Sequence, residues 1–136
     1  MLWSMKRSLR VGVALLGCAA ALLAHHGYVL FYHIDQHLTL KGQVTKVIFE
    51  EPHVRLTLAT KGSGTWDAEW TKPTTLAVDG VKPDTVKVGD VLEIEASPAI
   101  NPAWRIVSAV MEIRRPADGW HWGRSSTQVR GTRTIE

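Results

Sequence analysis

Cysteine is almost missing from this chain of 136 residues, in which Cys18 is the only one. No disulfide can therefore form within the chain, even in an oxidising compartment, and a folded domain must be held together by its apolar core. Familiar catalytic motifs are missing too, including the Gly-x-Ser-x-Gly elbow, a glycine loop for phosphate, Cys-x-x-Cys and His-Glu-x-x-His. We therefore expect a non-catalytic protein.

Positive charge is modest and spread out. The formal net charge is +3, and many basic residues stand near the two chain ends, among residues 6–10 and 114–133. Neither run is dense enough to form a basic surface for nucleic acid, so no nucleic-acid partner is expected. The length allows one folded domain besides any segment removed on export.

The first 24 residues have the pattern of an export signal. Residues 1–10 carry three positive charges, and residues 11–24 form an uninterrupted apolar run. This run has the length of the apolar core of a signal peptide, and it is shorter than the about 20 residues that a membrane-spanning helix usually needs. The sequence thus predicts a signal peptide or signal anchor at 1–24, and a protein in the periplasm or on the periplasmic face of the inner membrane.

Several processing outcomes fit this start. Cleavage after Ala21 obeys the small-x-small rule, whereas cleavage after Ala24 would expose His25 as the N-terminus. Residues 15–18 also resemble a lipobox, which would make Cys18 a lipid-modified first residue. An uncleaved or lipidated chain would associate with the membrane, in the first case through residues 11–24.

A histidine-rich lead-in follows at residues 25–37. It contains four of the six histidines of the chain: His25, His26, His33 and His37. Imidazole suits copper, and a free N-terminal amine on His25 could chelate together with its own ring. Copper held by His25, His26 and His53 is therefore one hypothesis, which Cu(II) titration of protein beginning at His25 would test. The alternative is that these histidines are incidental, because their spacing matches no closed zinc motif.

Residues 38–60 predict a hairpin of two strands. Leu38, Leu40, Gly42 and Val44 alternate with polar residues, and the apolar phase then slips to Val47 and Phe49. Such a slip requires a bulge near residues 45–46. Pro52 cannot donate to a ladder and belongs in the turn. After the turn, Val54, Leu56 and Leu58 predict a second strand with one buried face.

Three further strands and one short helix complete the predicted domain, residues 38–115. The third strand contains Trp66, Ala68 and Trp70, which we interpret as core rather than as a ligand cleft. A short helix at residues 74–80 precedes a fourth strand with Leu92, Ile94 and Ala96 facing inward. Residues 106–113 form the fifth strand, with Val107, Ala109, Met111 and Ile113 predicted to share a face.

This order of elements predicts an all-β fold. Three strands, a helix and two strands are the element order of a small five-stranded OB-like barrel. The lead-in is predicted to be extended, since Tyr28, Leu30 and Tyr32 alternate. Residues 116–136 are predicted to be a loosely ordered basic tail, in which Trp120-His121-Trp122 could anchor on the barrel.

The chain resembles a family of small exported bacterial proteins with a domain of unknown function. The resemblance lies in His25-His26-Gly27, where the family has His-His-Ser, in residues 39–47, which match a Thr-Leu-x-Gly-x-Val-x-x-Val strand, and in Glu51-Pro52-His53, where the family has Asn-Pro-His. Residues 89–92 match a later Gly-Asp-x-Val start. The resemblance implies export and the fold, and it coincides with the histidines of the copper hypothesis.

These observations favour an exported, non-catalytic periplasmic binding module with an unknown ligand. The first alternative is a periplasmic copper-binding protein, and the second is a structural accessory subunit of a membrane complex. The sequence names no protein partner.

Overall fold

We describe residues 27–123 and 133–136 of a computed structural model of the chain. The chain divides into two compact units, one up to Phe31 and one from Tyr32 onward. The elements of the second unit are β1 (Leu38–Ile48), β2 (Arg55–Thr60), β3 (Gly64–Glu69), α1 (Pro73–Val78), β4 (Val91–Pro98), a 3₁₀ turn (Pro102–Trp104), β5 (Ile106–Arg115), β6 (Trp120–Gly123) and β7 (Arg133–Ile135).

Five strands close into a barrel in the order β1-β2-β3-β5-β4, and β4 pairs back onto β1. Neighbouring strands are antiparallel except β3 and β5, which run parallel. The helix α1 lies between β3 and β4 in the chain. The predicted five-stranded OB-like barrel with one short helix after its third strand is confirmed.

The barrel interior is filled by aliphatic side chains that alternate along the strands. The largest fully enclosed ones include Leu40, Leu56, Leu58, Leu92, Ile94 and Ile113. Leu76 of α1 is enclosed as well. Burial of each such side chain is worth about 1.5–3 kcal/mol, which is how a small domain can be stable without a disulfide. Trp66, Ala68 and Trp70 are buried, as predicted.

Strand β1 pairs with a different strand along each half of its length. Residues 38–43 pair with β4, and residues 43–48 pair with β2. The register with β2 shifts between Val44 and Lys46, which places the predicted bulge at Thr45. After the bulge, Val47 and Phe49 are half-buried against the core, so the predicted change of phase is confirmed.

Gly42 lies next to the point where β1 changes partners. A Cβ atom at this position would lie 2.6 Å from the carbonyl oxygen of Ala59 and 3.1 Å from its carbonyl carbon. Both atoms are backbone of β2, which is held in the barrel on its other side by β3. The close approach of the two strands therefore requires glycine here.

The predicted inward face of β5 is partly wrong. Val107 and Ile113 are buried, but Ala109 is exposed and Met111 only half-buried, whereas Glu112 is buried. Ala109 has φ +48°, and the pairing of β4 with β5 changes register at this point. A bulge formed around this left-handed residue interrupts the alternation, so that Glu112 is buried beside Ile113, which strict alternation does not predict.

Two short strands lie in the segment that was predicted to be loosely ordered, residues 116–136. The strand β6 is antiparallel to the end of β5, and β7 is parallel to the start of β1. Trp122 packs edge-on against Trp70, with ring centres 5.0 Å apart, and its Nε1 donates a hydrogen bond of 2.8 Å to Asp79. These contacts anchor the residues around Trp122 on the barrel. The segment is therefore ordered by tertiary contacts, although its sequence shows no strand periodicity.

Arg115 ties the β5–β6 turn to the loop before β4. Its Nη1 donates to the carbonyl oxygen of Thr85 at 2.7 Å and to Asp90 at 2.8 Å. Its Nε donates to both oxygens of Asp118, and its guanidinium lies 5.2 Å from the centre of the Trp120 ring. The hydrogen bond from Arg115 holds the pKa of Asp118 below its ordinary value.

The sequence predicts an extended lead-in, and this prediction is wrong for its first part. Residues 27–31 are helical, and the chain leaves the helix at Tyr32. Three alternating residues are too few to distinguish a strand from part of a helix, which explains the error. In the described part of the chain, we find no helix with the length and apolar character needed to cross a membrane.

A substitution at Gly42 tests the close approach of β1 and β2. Gly42→Ala should lower the free energy of unfolding by about 1–3 kcal/mol, because the new methyl group forces two paired strands apart. Gly62→Ala is the matched control, since its Cβ would meet only the carbonyl oxygen of Glu136 at an ordinary 3.5 Å. Chemical denaturation measures both variants, and equal stability of the two would contradict the close approach.

Candidate ligand-binding cavity

A cavity of about 200 Å³ lies beside the β4–β5 connection, residues 98–106. Its other walls come from residues 33–38, from Trp66 of β3 and from Arg133 of β7. In OB-type barrels the connection between the fourth and fifth strands takes part in ligand binding. The cavity therefore lies at a position that this fold uses for recognition, although the fold alone does not define a ligand.

Tyr32 and His33, in the second half of the lead-in, are held against the barrel by three contacts. Tyr32 forms an isolated β-bridge with Ala99, and the backbone N–H of His33 donates to the carbonyl oxygen of Pro98 at 3.0 Å. The Tyr32 hydroxyl donates to Glu69 at 3.2 Å. These bonds fix the wall that carries His33 and His37, so the cavity is largely preformed.

The β4–β5 connection is also fixed. The Asn101 side chain accepts a hydrogen bond of 3.0 Å from the backbone N–H of Ala103 and so caps the 3₁₀ turn. The Arg105 backbone N–H donates to Pro102, and its carbonyl oxygen accepts from Asp67 of β3 at 3.0 Å. Both backbone groups of Arg105 are thus engaged, while its side chain is exposed at the cavity.

Arg105 has a left-handed backbone, with φ 49° and ψ 47°. This conformation costs a residue with a side chain about 1–2 kcal/mol, whereas glycine adopts it freely. Backbone strain of this kind is concentrated at functional sites. Arg105 also ends the 3₁₀ turn, a place where left-handed residues are common, and its side chain lines the cavity.

Two arginines give the described lining of the cavity a positive charge. Arg105 and Arg133 both line it, no carboxylate is among its described lining residues, and neither arginine pairs with a described carboxylate. By contrast, Arg114 forms a double hydrogen bond with Glu112, which raises the pKa of Arg114. Two arginines at one cavity without an acidic partner favour an anionic group.

Two ring nitrogens at the cavity wall are also unsatisfied. Nε1 of Trp66 and Nδ1 of His37 are buried, and neither has a hydrogen-bond partner among the described residues. The Nδ1 of His37 lies 3.7 Å from a carboxylate oxygen of Glu95, which is too long for a hydrogen bond although it allows electrostatic attraction. A buried polar group without a partner is uncommon in a native protein and calls for an explanation.

A second hollow, of about 490 Å³, lies against the β5–β6 turn and is lined in part by Glu112, Arg114 and Arg115. Its charged groups are already bound to protein groups, since Glu112 pairs with Arg114, and Arg115 pairs with Asp118 and Asp90. A ligand would have to displace these ion pairs. The smaller cavity, whose two arginines have no carboxylate partner among the described residues, is the better candidate.

Most of the hypothetical copper site lies outside the described residues. His25 and His26 lie outside the described residues, and His53 is exposed in the turn before β2, next to the cis Glu51–Pro52 bond. Within residues 27–123 and 133–136, no three histidine, cysteine or acidic side chains are grouped closely enough to hold a metal ion. Copper binding stays a hypothesis. The histidines brought together at the cavity are instead His33 and His37.

Residues 13–104 match the model of DUF6152, a family of unknown function, and the chain belongs to this family. The match includes the barrel strands from β1 to β4, the lead-in and the 3₁₀ turn, and it ends one residue before Arg105. No curated protein and no solved structure matches the chain. The matched range thus contains most of the residues that line the cavity, and the family assigns no ligand.

Residues 101, 105 and 133 were not predicted as site residues. Asn101-Pro102 is a recognisable turn signal, and it could have predicted a capped turn. Nothing in the sequence indicates that Arg105 and Arg133, which are 28 positions apart in the numbering, line one cavity. That proximity follows from the pairing of β7 with β1 and of β3 with β5.

The left-handed residues give a test of the interpretation of Arg105. Arg105→Gly should raise the free energy of unfolding by about 0.5–1 kcal/mol, since it removes backbone strain and only an exposed side chain. Ala109→Gly, at φ +48° and away from the cavity, should give a similar gain. Ala77→Gly on α1 should instead lower stability by about 1 kcal/mol. A loss of stability in Arg105→Gly would show that its side chain supports the fold.

Proposed function

We propose that this protein is an exported, non-catalytic binding module that holds a small ligand in the cavity of about 200 Å³ beside the β4–β5 connection. The observation that supports this best is the combination of a preformed cavity with unsatisfied polar groups at its wall. Ligand pockets typically have mainly apolar walls and a few fixed polar groups. Leu38, Trp66 and Ile106 supply apolar surface, and Arg105 and Arg133 supply the polar groups.

The size of the cavity limits the ligand. Pockets for drug-sized molecules have volumes of about 300–1,000 Å³, so a cavity of about 200 Å³ suits a smaller compound. The ligand would lie against Trp66, a residue that is 7% exposed, and would reach the solvent side near Arg105.

Export is supported by the N-terminal pattern alone. Three basic residues are followed by the apolar run at residues 11–24, as in signal peptides and signal anchors. The periplasm, or the periplasmic face of the inner membrane, is the location that this pattern favours. A module without catalytic activity is supported by the absence of catalytic motifs from the sequence, and no described feature suggests nucleic acid as a partner.

A ligand screen followed by NMR tests this proposal. The chain, expressed with its export signal and labelled with ¹⁵N, is mixed with small neutral, cationic and anionic compounds, and the indole N–H signals are recorded. A ligand in the cavity should shift the signal of Trp66. The signal of Trp70 is an internal control, because its Nε1 is also buried and unpaired among the described residues while Trp70 does not line the cavity.

A variant with a smaller cavity confirms the location. Ala99 lines the cavity and is 6% exposed, so Ala99→Leu places a branched side chain there and should abolish the shift at Trp66. Ala77→Leu makes the same chemical change at an exposed position of α1 and should leave binding unchanged. A screen in which no compound moves the Trp66 signal, or in which Ala99→Leu binds normally, would contradict the proposed site.

A further inference from the structure

We infer that the cavity takes a small organic carboxylate, whose anionic group pairs with Arg105 and Arg133 and whose apolar body packs on Trp66. This inference rests on the proposed binding function and adds the chemical class of the ligand. The two arginines belong to different elements of the fold. Arg133 stands opposite Leu38 in the pairing of β7 with β1, and Arg105 follows the 3₁₀ turn next to β3.

Charge is the first argument for an anion. Both arginines are among the lining residues, and that lining has no aspartate or glutamate in the described structure. An arginine carries its charge at all physiological pH values and offers a planar fork that fits a carboxylate. Asp67, whose backbone N–H donates to the carbonyl oxygen of Arg105, uses its carboxylate to accept a hydrogen bond of 2.7 Å from the Thr57 hydroxyl. The carboxylate of Glu95 lies 3.7 Å from Nδ1 of His37.

Two arginines elsewhere in the described structure, by contrast, are neutralised by the protein itself. Arg114 and Arg115 each form ion pairs of 2.7–2.9 Å with protein carboxylates. The chain therefore neutralises arginines where they stabilise the β5–β6 region. It leaves Arg105 and Arg133 without a described carboxylate partner, and it holds Arg105 in a strained backbone conformation. A ligand carboxylate would form ion pairs with Arg105 and Arg133, as protein carboxylates do with Arg114 and Arg115.

The apolar wall is the argument for an organic ligand rather than an inorganic ion. More than half of the described lining residues are apolar, among them Leu38, Trp66, Ala99 and Ile106. A bare phosphate would leave this surface in contact with water. A flat or branched apolar body on a single carboxylate would cover it and displace that water.

Calorimetric titration with benzoate tests the inference, with benzamide as a neutral molecule of the same shape and inorganic phosphate as an anion without an apolar body. Benzoate should bind at least about tenfold more tightly than either of the other two. Arg105→Gln and Arg133→Gln should each weaken benzoate binding about tenfold, since each removes a charge-assisted hydrogen bond.

Arg55→Gln is the matched control for these variants. Arg55 is an exposed arginine at the start of β2 and does not line the cavity, so its loss should change benzoate affinity by no more than about twofold. An equal loss in all three variants would mean that the overall charge attracts the anion, and would overturn the inference. Thermal melting of each variant shows whether it is folded.

The remaining outcomes separate this inference from the proposed function. If benzamide binds as tightly as benzoate and shifts the Trp66 signal, the proposed binding function stands, but the inference that the ligand is a carboxylate is wrong. Phosphate binding as tightly as benzoate would refute the organic ligand. If benzoate, benzamide and the compounds of the ligand screen all fail to move the Trp66 signal, the proposed function fails as well.

Discussion

The structure depends on strand β1, which pairs with two other strands of the barrel. β1 pairs with β4 along its first half and with β2 along its second half, and this closes the barrel. The change of partner needs the bulge after Val44 and the close approach of β2 to Gly42. Since β2 is not paired with the first residues of β1, that edge is free to pair with β7. The cavity forms at this end of β1, with Leu38 in its wall.

The cavity is formed mainly by the segments that connect the strands, and it lies outside the barrel interior. The core is filled mainly by aliphatic side chains, and His33 and the β4–β5 connection are attached outside it by backbone hydrogen bonds. Rigid strands thus position side chains from loops, which is the usual division between scaffold and binding residues. Arg105 shows this most clearly, because both its backbone groups are bonded while its side chain is exposed.

Periodicity predicted the parts of the fold in which side chains alternate without interruption. The buried faces of β1, β2, β3 and β4 and the bulge in β1 follow directly from the apolar pattern. The pattern failed where a bulge changes the phase, as at Ala109, and where strands are too short to have a period, as in β6. The cavity was not predicted, because ion pairing is a property of three-dimensional neighbours. Arg105 and Arg114 look alike in the sequence, and only their surroundings distinguish them.

The central claim is that the wall formed by Trp66, Arg105 and Arg133 binds a carboxylate. A crystal structure of the protein grown with benzoate tests it most directly. If the claim is right, the carboxylate will lie within hydrogen-bond distance, about 3 Å, of both guanidinium groups, and its ring will contact Trp66. Benzoate bound elsewhere, or Arg105 and Arg133 paired with carboxylates of the protein itself, would contradict it.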